Sequence, residues 1–285
     1  MHGAYTSSLP LSLCELPFGD RVADRYDVSV SPFLAGVIGD EFNHSPRVKS
    51  TLVREANTDL QSVARELKSV TSQLPTAKVM ELQQFAAIQQ ALPESDVFHY
   101  CGHAFFSRSD PLESALGPES AEHVMSVRDI STKLQCSTNC LVFLNACQTS
   151  SFLPDPLDEY IGLVPAFTSI GASFVIGTLW EAEDLPAWLF TDRYYKNLAR
   201  GLGCRDSFFQ TQRWLRGVSD DRGESLSDKS ALESYVKQLR RSGQLDQNEL
   251  DACLEDAGWW TTEENMPPFR NPAHWGCHVL TECHA

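Results

Sequence analysis

From Val48 the apolar residues Leu52, Ala56, Leu60, Val63, Leu67, Val70 and Leu74 recur at spacings of three and four, which predicts a long amphipathic helix ended by Pro75. A second, shorter helix is expected over 78–92, closed by Pro93. Three short, almost uninterrupted apolar runs follow: Asp96–Cys101, Cys140–Ala146 and Ser173–Trp180. Strands buried on both faces read this way. Helical patterns at 126–135 and 159–170 separate them, and others follow at 184–200 and 204–216. The order is repeated βα, so the class is α/β with a mainly parallel sheet.

The flanks are less regular. Residues 1–45 are broken by Pro10, Pro17, Gly19, Pro32, Gly36 and Gly39, with a strand expected over Tyr26–Val30. Residues 217–270 turn charged and helical before the Pro-rich NMPPFRNP, which predicts an inserted helical pair over 217–268. A strand over His274–Leu280 would then return to the sheet. The uncharged stretch Tyr160–Trp180 is long enough to mimic a membrane span, but Pro165, Gly171 and the β-branched run after it favour helix, turn and central strand. One domain over 1–285 is the expectation.

Composition narrows the function. The chain has 23 Lys and Arg against 38 Asp and Glu, a formal charge of −15, which argues against nucleic acid or an anionic membrane as a direct partner. The first twenty residues have neither a basic region nor a continuous apolar stretch, so a cytoplasmic location is expected. Nine cysteines at irregular spacing read as reduced thiols.

Functional groups of doubly wound sheets collect at the carboxyl ends of the strands. One run ends in Cys101-Gly102-His103-Ala104 and the next in Asn145-Ala146-Cys147-Gln148. That places a histidine and a cysteine at one edge, where an imidazole could take the thiol proton and a backbone N–H could receive an oxyanion. Packing of two buried-type residues is the alternative. His274, Cys277, His278, Cys283 and His284 suggest a metal, but alternation splits them between faces and the spacing fits no standard zinc site, so no metal is assigned. Cys136 and Cys140 read as core residues flanking a strand, and His99 as a hydrogen-bonded core histidine.

The segments DVFHYCGHAFF, LVFLNACQTS, GLVPAFTSIGASFVIGTLWEAED and NPAHWGCHVL, in this order, resemble the CHAT-domain proteases, relatives of caspases and separase. LPLSLCELPFGDRVADRYDVSVSP and a helix around Arg54-Glu55 resemble the N-terminal part of that family. The resemblance covers most of the chain apart from about 217–268. It implies a caspase-like, mainly parallel sheet flanked by helices and a cysteine endopeptidase with His103 as base and Cys147 as nucleophile. The backbone N–H groups of Cys147 and Ala104 would form the oxyanion hole, with Ala104 standing where the family usually has glycine.

By the same resemblance LWEAED carries a specificity acid, Asp184, with Glu181 and Glu183 as alternates. Asn145 replaces an aspartate of metacaspases. A helix N-cap beside Pro186 is the alternative role for Asp184. No cofactor is called for. The partners implied are a protein substrate and an activating or regulatory protein, in settings that include bacterial defence. A catalytically silent module that binds a protein through 217–268 is the second reading.

Overall fold

The computed structural model describes residues 10–17, 19–31, 48–55, 58, 62–146, 149–150, 152–154, 160–260 and 266–283. The chain divides into two compact units, one of residues 1–60, 76–182 and 276–285, the other of 61–75 and 183–275.

The first unit is built on six strands: β1 (Ser50–Arg54), β2 (Lys78–Glu81), β3 (Val97–Cys101), β4 (Cys140–Asn145), β5 (Ala172–Thr178) and β6 (His278–Glu282). Their order is β6-β5-β4-β3-β1-β2, parallel throughout except for β6, which runs antiparallel to β5. The mainly parallel α/β sheet expected from the βα order is therefore present. Short helices α2 (Phe85–Ala91), α3 (Val127–Lys133) and α4 (Leu163–Ser169) belong to this unit. Ile88, Ile130 and Phe167 of these helices share one buried cluster with Val53, Phe98, Tyr100, Val142 and Leu144 from one face of the sheet. Residues of the opposite face, Leu52, His99, Leu141 and Phe143, are also fully buried, which is why the central strands read as unbroken apolar runs. At the outer edge, β2 is four residues long and carries Lys78 and Glu81 at its ends. The Gln84 side chain accepts from the Glu81 N–H at 2.8 Å, which blunts the edge against further pairing.

The second unit is helical: α1 (Ser62–Gln73), α5 (Asp184–Ala199), α6 (Cys204–Leu215), α7 (Lys229–Arg241) and α8 (Gln247–Trp260). Helix α5 is buried along most of its length. It meets α1 through Trp188, whose Nε1–H donates to Ser69 Oγ at 3.0 Å, and through Thr191, whose hydroxyl donates to Glu66 at 3.2 Å. Polar side chains also tie α5 to the chain beyond α6. Buried Arg193 pairs with Asp220 and with Glu224, and lies over the Trp214 ring. Asp192 accepts from the Tyr235 hydroxyl of α7 at 2.6 Å and from Lys196 at 2.8 Å.

Several sequence expectations change. Residues 50–54, expected in the long helix, form β1, and the helix itself covers 62–73, so Arg54 and Glu55 lie at a strand end and not in a helix. A spacing of four fits both periods, being two alternations of a strand and about one turn of a helix, and the β-branched STLV run decides for the strand. Likewise 78–81 form β2 and only 85–91 the α-helix, with Pro93 inside a following 3-10 turn. Tyr26–Val30 is not a strand: Val30 alone bridges to Thr281. Residues 160–162 are extended before α4. Pro272 opens a short helix, 272–275, so the returning strand begins only at His278. The 160–180 segment is helix, turn and strand, and no helix among the described residues is long and apolar enough to cross a membrane.

Candidate active site

The parallel register sets Cys101 at the end of β3 opposite Asn145 at the end of β4. Past β3 the chain turns at Gly102 into His103 and then into a two-residue strand, Ala104–Phe105, paired antiparallel with Ala115–Leu116. Past β1 comes Glu55, whose N–H donates to the Cys101 carbonyl at 3.2 Å. Three adjacent strands thus deliver Glu55, His103 and Asn145 to one edge.

Glu55 holds the histidine twice. Its Oε2 accepts from the His103 backbone N–H at 2.8 Å and lies 2.8 Å from ring Nδ1. The Glu55 side chain is 9% exposed and that of His103 34%, so the carboxylate is sheltered and the ring reaches solvent. With Nδ1 carrying the hydrogen toward the carboxylate, Nε2 holds the basic lone pair. The His103 carbonyl is fixed as well, accepting from the Tyr100 hydroxyl at 2.7 Å and the Gly117 N–H at 2.8 Å. Burial, then the nearby Glu55 charge, pushes the Tyr100 phenol well above its ordinary value, so it stays a donor. Gly102 makes the approach possible. At its φ of +152°, a Cβ would lie 2.7 Å from Glu55 Cβ and 2.7 Å from the Tyr100 hydroxyl.

Ala104 stands where glycine was expected by resemblance, yet its φ is not positive, so alanine fits without strain. Because the Gly117 N–H donates to the residue before it, Ala104 and Leu116 are a non-hydrogen-bonded pair, and the Ala104 N–H points away from that neighbouring strand.

Cys147 and Gln148 lie outside the described residues, and with them the expected nucleophile and one oxyanion donor. The residues on either side are held to the end of β5. The Thr178 hydroxyl donates to the Ala146 carbonyl at 2.5 Å, the Thr178 N–H donates to Thr149 Oγ1 at 2.9 Å, and the Ser150 N–H donates to the Thr178 carbonyl at 2.8 Å. Gly177 allows this seam, since a Cβ there would lie 2.6 Å from Ser150 Oγ and 2.9 Å from Thr149 Oγ1.

The expected specificity acids are spread. Glu181 is exposed in the loop after β5 and belongs to the first unit, whereas Glu183 and Asp184 belong to the second. Asp184 is the first residue of α5 and accepts from the Ser62 hydroxyl at 3.1 Å, while the N-cap position falls to Glu183, whose carboxyl burial pushes up. The cap role considered for Asp184 is thus displaced by one residue. Of the terminal Cys/His group, Cys277 Sγ and His278 Nδ1 lie 3.3 Å apart in the interior, where alternation was expected to separate them; Cys277 precedes the strand. Burial lowers His278 to about 3, so this imidazole is neutral. Cys136 and Cys140 are buried, as expected of core residues, and so is His99. Glu55 as the partner of His103 is the element that sequence reasoning missed. Its one signal was an acidic residue two positions after an apolar β-branched run.

Among solved structures, the chain is similar to Saccharomyces cerevisiae separase in its complex with securin (15% identity, TM-score 0.44, 59% of this chain and 11% of that one). It is also similar to the Arg-specific cysteine proteinase gingipain R (13%, 0.41, 86% and 48%). A third is the complex of RgpB pro- and mature domains from Porphyromonas gingivalis (14%, 0.38, 61% and 44%). The chain spans less than half the length of each of these three. No curated protein sequence matches it. The model of the CHAT domain family matches residues 9–281, nearly the whole chain, and the chain belongs to that family.

Proposed function

We propose that this CHAT domain is a cysteine endopeptidase, and the observation that carries the reading is the sheltered Glu55 carboxylate on Nδ1 of a half-exposed His103. A histidine serving only to fill the core needs no such orientation. In this reading Nε2 of His103 takes the proton of Cys147, the thiolate attacks the scissile carbonyl, and the imidazolium returns the proton to the leaving amine. The N–H groups of Ala104 and Cys147 receive the oxyanion, and the outward N–H of Ala104 supports the first of these. Water then releases the acyl group, with His103 again as base.

Residues 1–285 are read as one domain with 217–268 inserted, cytoplasmic and under the control of another protein. Asp184 and, with it, Glu181 and Asn145 are carried over from the family resemblance as the residues that select a basic residue before the cut. The net charge of −15 would add long-range attraction for basic substrates.

A positional peptide library tests the assignment. The parent should cut after Lys or Arg, Cys147→Ala and His103→Ala should be inactive, and Glu55→Gln should lose about 100-fold or more in kcat/KM. Asp184→Asn should lose the basic preference by about 1–3 kcal/mol. Cleavage that survives Cys147→Ala overturns the mechanism, and a basic preference unmoved by Asp184→Asn overturns the assignment of Asp184 alone.

A further inference from the structure

One residue at the end of β5 grips the chain on both sides of position 147. Thr178 stands opposite His278 of β6, and because the Leu179 N–H donates to the Cys277 carbonyl at 2.9 Å, Thr178 and His278 are a non-hydrogen-bonded pair. The Thr178 N–H and carbonyl therefore point away from β6 and toward β4. Register pairing of β5 with β4 runs only to Ile176 opposite Phe143, two residues short of Thr178. The chain leaving β4 takes those groups instead. The Thr178 N–H donates to Thr149 Oγ1 at 2.9 Å, its carbonyl accepts from the Ser150 N–H at 2.8 Å, and its hydroxyl donates to the Ala146 carbonyl at 2.5 Å. Thr149 ties the segment back to its start, its hydroxyl donating to the Leu144 carbonyl at 3.4 Å.

Thr178 and Thr149 are both 0% exposed, so water does not compete for these bonds. Valine would fill the Thr178 site with nearly the same shape, but it has no donor and would leave the Ala146 carbonyl unpaired. Only Cys147 and Gln148 separate the two clamped positions, Ala146 and Thr149, so few soft backbone dihedrals lie between one fixed point and the next. Placement matters here. A nucleophile and its base must come within hydrogen-bond reach, and a misplacement of about 1 Å can cost about 100-fold in rate.

We propose that Thr178 is a positioning residue for Cys147: its hydroxyl on the Ala146 carbonyl, together with its N–H on Thr149, sets the thiol where His103 can take its proton. This role rests on Cys147 being the nucleophile of the reaction proposed above. Thr178 takes no part in the chemistry itself and acts only through the residues on either side of Cys147.

The test compares the full chain with its Thr178→Val and Thr178→Ser variants. Each is alkylated with iodoacetamide at pH 7, and peptide mapping follows the rate at Cys147 beside that at exposed Cys14. In the parent, Cys147 should react faster than it does in His103→Ala. Thr178→Val should slow Cys147 by about tenfold or more with Cys14 unchanged, and Thr178→Ser, which keeps the hydroxyl, should regain most of the rate. In the peptide assay the Thr178→Val loss should fall on kcat and leave KM nearly unchanged. If Thr178→Val does not fold, Gly177→Ala decides. Its Cβ would lie 2.6 Å from Ser150 Oγ and 2.9 Å from Thr149 Oγ1, forcing the same seam apart without removing a hydroxyl, and it should slow Cys147 likewise. A Cys147 rate unchanged in the folded variant overturns the role of Thr178, and peptide cleavage by the parent then keeps the peptidase reading. A parent that cuts no peptide, but whose Cys147 still slows in both His103→Ala and Thr178→Val, overturns the peptidase reading and supports the positioning role. A Cys147 that reacts no faster in the parent than in His103→Ala overturns both.

Discussion

The sheet edge around His103 and the helical unit around Arg193 both spend polar side chains, in opposite ways. At the edge, one sheltered carboxylate holds one half-exposed ring by two contacts, and the neighbouring groups that fix it are backbone atoms and a phenol. Around α5 charged side chains, most of them buried, pair with one another: Arg193 with Asp220 and Glu224, Asp192 with Lys196 and Tyr235. The first arrangement orients an imidazole on a side chain that reaches solvent. The second sets opposite charges against each other inside the helical unit, because a buried charge persists only when it is paired. Polar density alone therefore does not mark a site; the informative sign is an oriented polar group on a side chain that reaches solvent.

Breaking the helical network should give the largest effect on stability. Burial acts to lower the Arg193 guanidinium, yet Tyr235, Glu224 and Asp220 together hold it above its ordinary value. Arg193→Met removes the cation and strands Asp220, which is 8% exposed, so urea unfolding should show a loss of about 3–5 kcal/mol. A double variant, Arg193→Met with Asp220→Leu, should recover much of that loss, because no unpaired buried charge remains. If the single variant unfolds like the parent, the pair is not a structural one.

The edge should instead reveal itself through acid. His278, opposite Thr178 in the β5–β6 register, is buried and lowered to about 3 from the usual 6.5. Below pH 6.5 the unfolded chain binds a proton there that the folded chain does not, so this part of the stability is complete above 6.5 and is lost as pH falls toward 3. At about 1.4 kcal/mol per pH unit, the loss between pH 6 and pH 4 is about 3 kcal/mol. His278→Gln should flatten the slope over that window, measured as urea midpoints at several pH values. An unchanged slope would mean that carboxylates carry the acid sensitivity instead.

How much of this was legible in the sequence depends on the element. The runs Asp96–Cys101, Cys140–Ala146 and Ser173–Trp180 announced β3, β4 and β5 because buried parallel strands are apolar on both faces, and those strands alone put His103 and Asn145 at one edge. Strand β1 was hidden because Val48, Leu52 and Ala56 are spaced by four, which suits either period, and hiding β1 also hid Glu55 as a strand-end residue. Its contact with His103 joins positions 48 apart in sequence, and no local pattern encodes such a distance. The Cys277–His278 contact was missed for a smaller reason: the strand starts four residues later than expected, so its alternation was applied to a residue outside it.

The smallest expected effect on stability falls where it should matter most for the site. Gly102 has no Cβ in a place where one would meet Glu55 Cβ and the Tyr100 hydroxyl at 2.7 Å, and its φ of +152° is one that other residues rarely adopt. In Gly102→Ala either the backbone turns or Glu55 withdraws. The strain is about 1–3 kcal/mol, below that expected for Arg193→Met, because Glu55 and His103 lie at a partly open edge that can give way. Giving way, however, separates the carboxylate from Nδ1. The histidine then loses its fixed tautomer, and kcat/KM in the peptide assay should fall by about tenfold or more, with kcat carrying the loss. The same substitution at Gly201, where a Cβ would meet nothing within 4 Å though φ is +90°, should cost stability alone and leave the rate of the folded fraction intact. Equal effects of the two variants on kcat would show that Gly102 serves the fold and not the orientation of His103.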